Sequence, residues 1–155
     1  MGVYEEQLNT FLVNVFNNIL RLEEASLAKG EFRNLSITEM HVIEAVYESL
    51  EHNSNSMAEI ANRLAVTAST LTTSVKTLEQ KGYLLRTKMP ADKRKVMVTP
   101  TPLSEKAYKK HKEFHRDLVS SVSKELSEEE MSALTQALST LDNFFNQGGI
   151  APESR

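Results

Sequence analysis

The stretch Val66 to Gly82, VTASTLTTSVKTLEQKG, constrains this chain more than any other. Thr67 can cap a helix by accepting one of the free N–H groups of its first turn, and Gly82 supplies the left-handed residue that commonly closes one. Between them Leu71, Val75 and Leu78 recur at spacings of four and three, so they share one inward stripe. Ser69, Thr70, Thr72, Thr73, Lys76 and Thr77 cover the rest of the surface. Ser and Thr are indifferent helix formers, and a merely solvated face ordinarily carries Glu, Lys, Gln and Arg. Short hydroxyl side chains instead let a helix backbone approach a partner closely. They can donate to phosphates, meet either kind of base edge and set Thr methyls against thymine methyls. The face reads as a major-groove recognition surface; the alternative is a small-residue helix packed on another helix.

The segment that follows favours the first reading. Tyr83 to Lys88 is expected to be a strand, Met89 to Asp92 a turn and Lys93 to Thr99 a returning strand, so the hairpin has a cationic tip. From Lys76 to Lys95 seven basic and two acidic residues give a local charge of +5, in a chain whose net charge is −3. Such asymmetry suits a polyanionic partner better than general solubility. Lys88, Lys93, Arg94 and Lys95 join the helix residues, Thr67 included, as expected DNA contacts. Arg94 is the residue expected to enter a groove, and Asp92 is placed to hold it by an ion pair across the turn.

Composition narrows the field. The 155 residues, 40% hydrophobic and 25% charged, suit a soluble chain with a real core. With no cysteine, disulfides, thiol nucleophiles and thiolate zinc sites are excluded. No apolar run approaches a membrane span and the N-terminus lacks a signal-peptide pattern, so a cytoplasmic location without membrane association is expected. No nucleophile elbow, phosphate-binding glycine loop or paired-carboxylate constellation occurs, and neither an enzyme nor a cofactor is expected.

The remaining segments read as helices. Tyr4 to Leu27 carries a long stripe of Leu8, Phe11, Leu12, Val15, Phe16, Ile19 and Leu22. Ser36 and Glu39 fit a capping box that opens a helix to about Glu51, lined by Met40, Ile43, Tyr47 and Leu50. Ser56 and Glu59 repeat the box before a short helix to Leu64. That helix, a tight turn at Ala65 to Thr67 and the hydroxyl-faced helix make a helix-turn-helix, to which the hairpin adds a wing. Pro102 then starts a helix of about 24 residues, roughly 36 Å long, with Leu103, Ala107, His111, Phe114, Leu118 and Val122 inward. A third box at Ser127 to Glu130 opens a last helix lined by Met131, Leu134, Leu138, Leu141, Phe144 and Phe145.

The expected fold is therefore mainly α with a small β-hairpin wing: a six-helix winged helix-turn-helix. Residues 1–30 and 101–146 would form a dimerisation region around the DNA-binding lobe 36–100, with 147–155 a flexible tail. The terminal helices carry longer apolar stripes than the central lobe can cover, which points to a homodimer. A two-fold axis would present two recognition helices about one turn of double-stranded DNA apart, as a palindromic operator requires. A helical interaction module that binds no nucleic acid is the rival, and it leaves the basic hairpin unexplained.

The order of elements, with Leu78-Glu79-Gln80-Lys81-Gly82-Tyr83-Leu84-Leu85-Arg86 and Asp92-Lys93-Arg94, resembles the multiple-antibiotic-resistance regulator (MarR) family of winged-helix repressors over residues 8–146. The resemblance implies that Asp92 and Arg94 are the wing's support and minor-groove finger. Two departures stand out: Met89 replaces an acidic residue usual before the wing proline, and Pro100-Thr101-Pro102-Leu103-Ser104 replaces Leu-Thr-x-x-Gly. Because proline cannot donate to a ladder, the hairpin is expected to end by Thr99.

Phe16-Asn17-Asn18-Ile19-Leu20, Glu23-Glu24, Ser26-Leu27, Glu39-Met40-His41, Thr70 with Thr72-Thr73-Ser74, and His111-Lys112 with Phe114-His115 are similar to the members of this family that repress fatty-acid biosynthesis in Gram-positive bacteria. This narrower resemblance implies a long-chain acyl group on acyl carrier protein as corepressor. The acyl chain would lie among Phe16, Ile19, Leu20, His111, Phe114 and His115, with Lys106, Lys109, Lys110, Lys112 and Arg116 facing the acidic carrier. A family member serving another regulon and released by a small aromatic or lipophilic ligand is the alternative. His111 and His115 also have the i, i+4 spacing of two metal ligands. No third ligand is evident from spacing and His111 lies on the apolar stripe, so hydrogen-bonded core or interface histidines, with no metal, are the expectation. His41 and His52 are expected to be structural.

Overall fold

In the computed structural model residues 1–148 are described. The helices are α1 (Val3–Ala28), α2 (Ile37–Glu51), α3 (Met57–Leu64), α4 (Ala68–Gln80), α5 (Pro102–Glu125) and α6 (Glu128–Asn146), with strands β1 (Leu84–Lys88) and β2 (Val96–Pro100) between α4 and α5. The chain divides into two compact units, residues 1–114 and 115–155. The expected flexible tail lies, beyond Gly148, outside the described residues.

Helix starts follow the capping residues. Ser36, Ser56, Thr67 and Ser127 each adopt extended backbone and accept the N–H three residues on. The reciprocal half of the box forms at Ser127, whose N–H donates to Glu130. At the other two serines the glutamates are used differently. Glu39 accepts from Lys81 Nζ at 2.8 Å, and Glu59 accepts from the Ser56 hydroxyl at 2.6 Å. The Lys81 ammonium competes better for the Glu39 carboxylate than a backbone N–H does.

The core of the first unit is built on α2. Met40, Val42, Ile43, Ala45, Val46 and Ser49 are all buried on it, a wider face than Met40, Ile43, Tyr47 and Leu50 alone, because α3, α4 and β2 enclose it from several sides. Leu71, Val75 and Leu78 of α4 are buried as their spacing requires, and each adds about 1.5–3 kcal/mol of apolar transfer. On α5 the inward position is Ser104, with Ala107 and His111 after it, while Leu103 is 40% exposed.

β1 and β2 pair antiparallel from Leu84↔Pro100 to Lys88↔Val96. Pro100 is therefore inside the hairpin, contrary to expectation. The bonds Thr101 N–H to Tyr83 O (3.1 Å) and Met89 N–H to Lys95 O (2.9 Å) fix the hydrogen-bonded pairs at odd positions of β1. Pro100 thus stands where a backbone N–H would point away from β1, and its missing donor removes nothing from the ladder. On that outer side Asn55 holds Val98 at both polar atoms, accepting its N–H at 2.9 Å and donating from Nδ2 to its carbonyl at 2.8 Å.

α1 is mostly exposed. Its apolar stripe, Leu8, Phe11, Leu12, Phe16 and Leu22, faces outward, and its one buried residue is Glu23. Within the described part of the second unit α6 buries no residue, leaving Leu138, Phe144 and Phe145 exposed. Among the described residues no helix is long and apolar enough to cross a membrane.

Candidate nucleic-acid interface

Helix α3 ends at Ala65, whose left-handed backbone (φ 54°) turns the chain, and Thr67 starts α4 two residues later. Burial of Leu71, Val75 and Leu78 turns Ser69, Thr70 and Thr73 outward, with Thr72 and Thr77 at the margins. Three of these hydroxyls are already committed as donors. Thr72 gives its proton to the Ala68 carbonyl at 2.8 Å, Thr73 to Ser69 at 3.1 Å and Thr77 to Thr73 at 3.1 Å. These side chains therefore present acceptor lone pairs and methyl groups, not the phosphate donors expected of them. Thr67 likewise donates to the Thr70 hydroxyl at 2.9 Å while accepting the Thr70 N–H.

The cationic footprint is smaller than its sequence count. Lys81 bonds Glu39 and the Asn34 carbonyl, Arg86 pairs with Glu79, and Lys95 lies 3.4 Å from Glu59. Lys76, Lys88, Lys93 and Arg94 are exposed and, among the described residues, make no ion pair. Lys76 stands on α4, Lys88 ends β1, and Lys93 and Arg94 sit at the tip. The tip is longer than Met89 to Asp92: the Asp92 carbonyl accepts the Lys95 N–H at 3.0 Å, which draws Lys93 to Lys95 into the turn instead of β2. The Asp92 carboxylate accepts the Arg94 backbone N–H at 3.0 Å, and no ion pair joins it to the guanidinium. It shapes the turn and leaves the Arg94 side chain to a partner. At the wing base, Glu59 is held below the usual carboxylate range, first by the Ser56 hydroxyl and then by Lys95.

The residues expected to line an acyl pocket are not gathered into one within the first unit. Between α1 and α5 a cavity of about 10 Å³ is lined by Glu23, Ser26, Leu27, Gly30, Phe32, Ala107, Lys110 and His111. That is room for about one water, whereas a ligand pocket needs some hundreds of Å³. Of the expected residues only His111 lines it: Phe16 is 67% exposed and Ile19 and Leu20 are half-buried outside it. Phe114 stacks on the His111 ring, with centroids 6.4 Å apart, and His115 is half-buried one turn further along α5. Lys106, Lys109, Lys110, Lys112 and Arg116 of α5 are exposed. Lys109 pairs with Glu105 at 3.0 Å, while Lys110 and Lys112 lie over the rings of Phe32 and Tyr108.

Sequence reasoning missed a polar cluster beneath α1. Glu23 Oε2 lies 2.7 Å from His41 Nε2, Glu44 Oε2 lies 3.0 Å from His111 Nε2, and the two imidazole centroids are 6.1 Å apart. A glutamate inside an apolar helical repeat was the available signal, although no spacing rule links it to residues on two other helices.

Comparison with known proteins agrees with this geometry. The MarR family profile matches residues 35–96. The chain is 30% identical over 95 residues to YhjH of Bacillus subtilis, an uncharacterised HTH-type transcriptional regulator; the match covers 61% of this chain and 53% of that protein. This chain thus spans about half the length of that relative. The structure of Streptococcus pneumoniae FabT in complex with DNA is similar, with a TM-score of 0.84 and 31% identity over 92% of this chain and 98% of that one. The transcriptional regulator BldR of Sulfolobus solfataricus gives a TM-score of 0.64 and 28% identity over 90% and 99% of the two chains.

Proposed function

Because the chain belongs to the MarR family of winged-helix transcriptional regulators, and not to a class of enzymes, we propose that it represses transcription by binding a palindromic operator as a homodimer. The observation that carries this reading is the division of labour among the basic residues. Lys81 and Arg86 are tied into the fold, while Lys76, Lys88, Lys93 and Arg94 are left exposed beside a helix that offers only short side chains. Cations on the wing position the protein on phosphates, and acceptors and methyls on α4 read base edges in the major groove. The exposed stripe on α1 supplies an apolar surface of the kind two copies bury against each other. The test is a binding titration with operator duplex across a salt series, paired with sedimentation. Affinity falling steeply with salt, at a mass of two chains, is the expected result. A monomer indifferent to duplex DNA at low salt would end the reading.

The regulated genes, in this reading, are those of fatty-acid biosynthesis, and long-chain acyl groups on acyl carrier protein strengthen operator binding. Two features support it: the likeness to FabT over nearly the whole chain, and the exposed basic row on α5 facing an acidic carrier. The small cavity between α1 and α5 means that an acyl chain would enter by parting these helices. Acylated carrier protein should tighten the operator titration and the unacylated carrier should not. Release by a small lipophilic molecule would instead favour a different regulon.

A further inference from the structure

A two-stranded antiparallel hairpin is marginally stable by itself and twists easily, so a wing that holds a cation in a groove needs support along its free edge. That support comes from the loop between α2 and α3. On the outer side of β2 the Asn55 carbonyl accepts the Val98 N–H at 2.9 Å and the Asn55 amide Nδ2 donates to the Val98 carbonyl at 2.8 Å. Ser56 adds an antiparallel bridge to Met97. The contact excludes solvent: Asn55 is 8% exposed and Val98 0%. The geometry points to Asn55 as a positioning residue for DNA binding, one that touches no nucleotide and seats the wing so that Arg94 meets its groove. The inference rests on the reading of the wing as a DNA contact.

An amide suits this place. Val98 is paired with Arg86 in the register where the polar groups of β2 turn away from β1, so the hairpin itself cannot satisfy them. A buried carbonyl left without a donor is costly, and the side-chain N–H meets it once the Asn55 backbone has taken the N–H of the same residue. The anchor is itself fixed. Ser54 N–H donates to the Ser49 carbonyl at 2.9 Å, and Asn53 takes left-handed backbone (φ 51°), which asparagine tolerates well. A second tie lies nearer the tip, where Lys95 Nζ stands 3.4 Å from Glu59 in the first turn of α3. The wing thus takes its angle from the start of α3, while Lys93 and Arg94 beyond both ties stay exposed for a partner. A wing already held in place loses less freedom on binding than a loose one.

The test uses the full chain with operator duplex in a salt series. Asn55→Ala removes no charge, yet it should weaken binding about five- to tenfold, the cost of ordering a loose segment on binding. It should also lower the salt slope by about one, as Arg94→Ala does, because a cation no longer held at its phosphate stops counting. In an Arg94→Ala background the same change should cost less than about twofold. Asn55→Leu keeps the bulk without the amide and guards against an alanine variant that melts early; the two should agree. Since the chain has no cysteine, spin labels at Gln80→Cys on α4 and Ala91→Cys on the wing give a direct readout. Their distance distribution should be narrow with Asn55 present and broad without it. Losses at Asn55 and Arg94 that simply add, with salt slope and label distances unchanged, would overturn the role of Asn55 while leaving the wing on DNA. Full affinity in Arg94→Ala would instead strike the reading of the wing, and this inference with it.

Discussion

The Thr73 hydroxyl donates to the Ser69 carbonyl oxygen at 3.1 Å, one turn back along α4. With its proton committed, the exposed Thr73 hydroxyl can only accept from a partner. Thr73→Val keeps shape and methyl but deletes the acceptor, whereas Thr73→Ser keeps the acceptor and deletes the methyl. Each should leave Tm nearly unchanged. The valine variant should lose about 1–3 kcal/mol of operator affinity if an adenine or cytosine amino group donates to that oxygen. Two variants indistinguishable from wild type in anisotropy titrations would remove Thr73 from the reading surface.

Two arginines eight residues apart should behave oppositely. Arg94 at the tip is exposed and holds no carboxylate, so Arg94→Ala should weaken binding to all duplexes and lower the salt slope by about one. Arg86 is paired with Glu79 at the root of the wing. Arg86→Ala should cost on the order of 1 kcal/mol of stability and leave the salt slope as it was. A salt series on both variants with a thermal melt separates the two roles.

The elements themselves were legible because capping and periodicity are local. Ser36, Ser56, Thr67 and Ser127 announced four helix starts, and Leu71, Val75 and Leu78 named the buried face of α4 correctly. What the sequence concealed was partnership between distant residues. Nothing near Glu39 shows that its carboxylate goes to Lys81 instead of its own cap, or that Lys95 is balanced by Glu59. The same holds for Pro100, where the ladder's parity, not the residue's character, decides whether the strand continues. On α5 a shift of one residue exchanged Leu103 for Ser104, since a serine one turn before a buried alanine gives a periodicity argument no apolar landmark.

Ala65 offers a stability test. Its positive φ of 54° costs a residue with a Cβ about 1–2 kcal/mol, part of which glycine gives back as greater freedom in the unfolded chain. Ala65→Gly should therefore raise stability by about 0.5–1 kcal/mol in denaturant melts. A decrease would mean that the Ala65 methyl makes packing contacts worth more than the strain.

The pH dependence should be visible on the alkaline side. Tyr83 is buried, and its hydroxyl donates to Asn34 Oδ1 at 2.8 Å. Burial pushes its phenol above the ordinary value of about 10. The folded chain thus retains a proton that the unfolded chain gives up, and stability falls as pH climbs from the ordinary tyrosine value through the raised one. Tyr83→Phe should flatten that decline. At neutral pH it should cost about 1 kcal/mol for the lost bond to Asn34. Equal alkaline slopes in both proteins would place the sensitivity at Tyr47 and Tyr108, whose phenols burial also raises.

Thr101 is where three elements meet. Its hydroxyl donates to the carbonyls of Gly82 at 2.6 Å and Tyr83 at 3.2 Å, its backbone N–H reaches Tyr83 as well, and the same oxygen receives the Ser104 N–H of α5. The end of the reading helix, the root of the hairpin and the head of α5 are thereby pinned together by a single side chain. Removing that one hydroxyl would unfasten all three at a stroke.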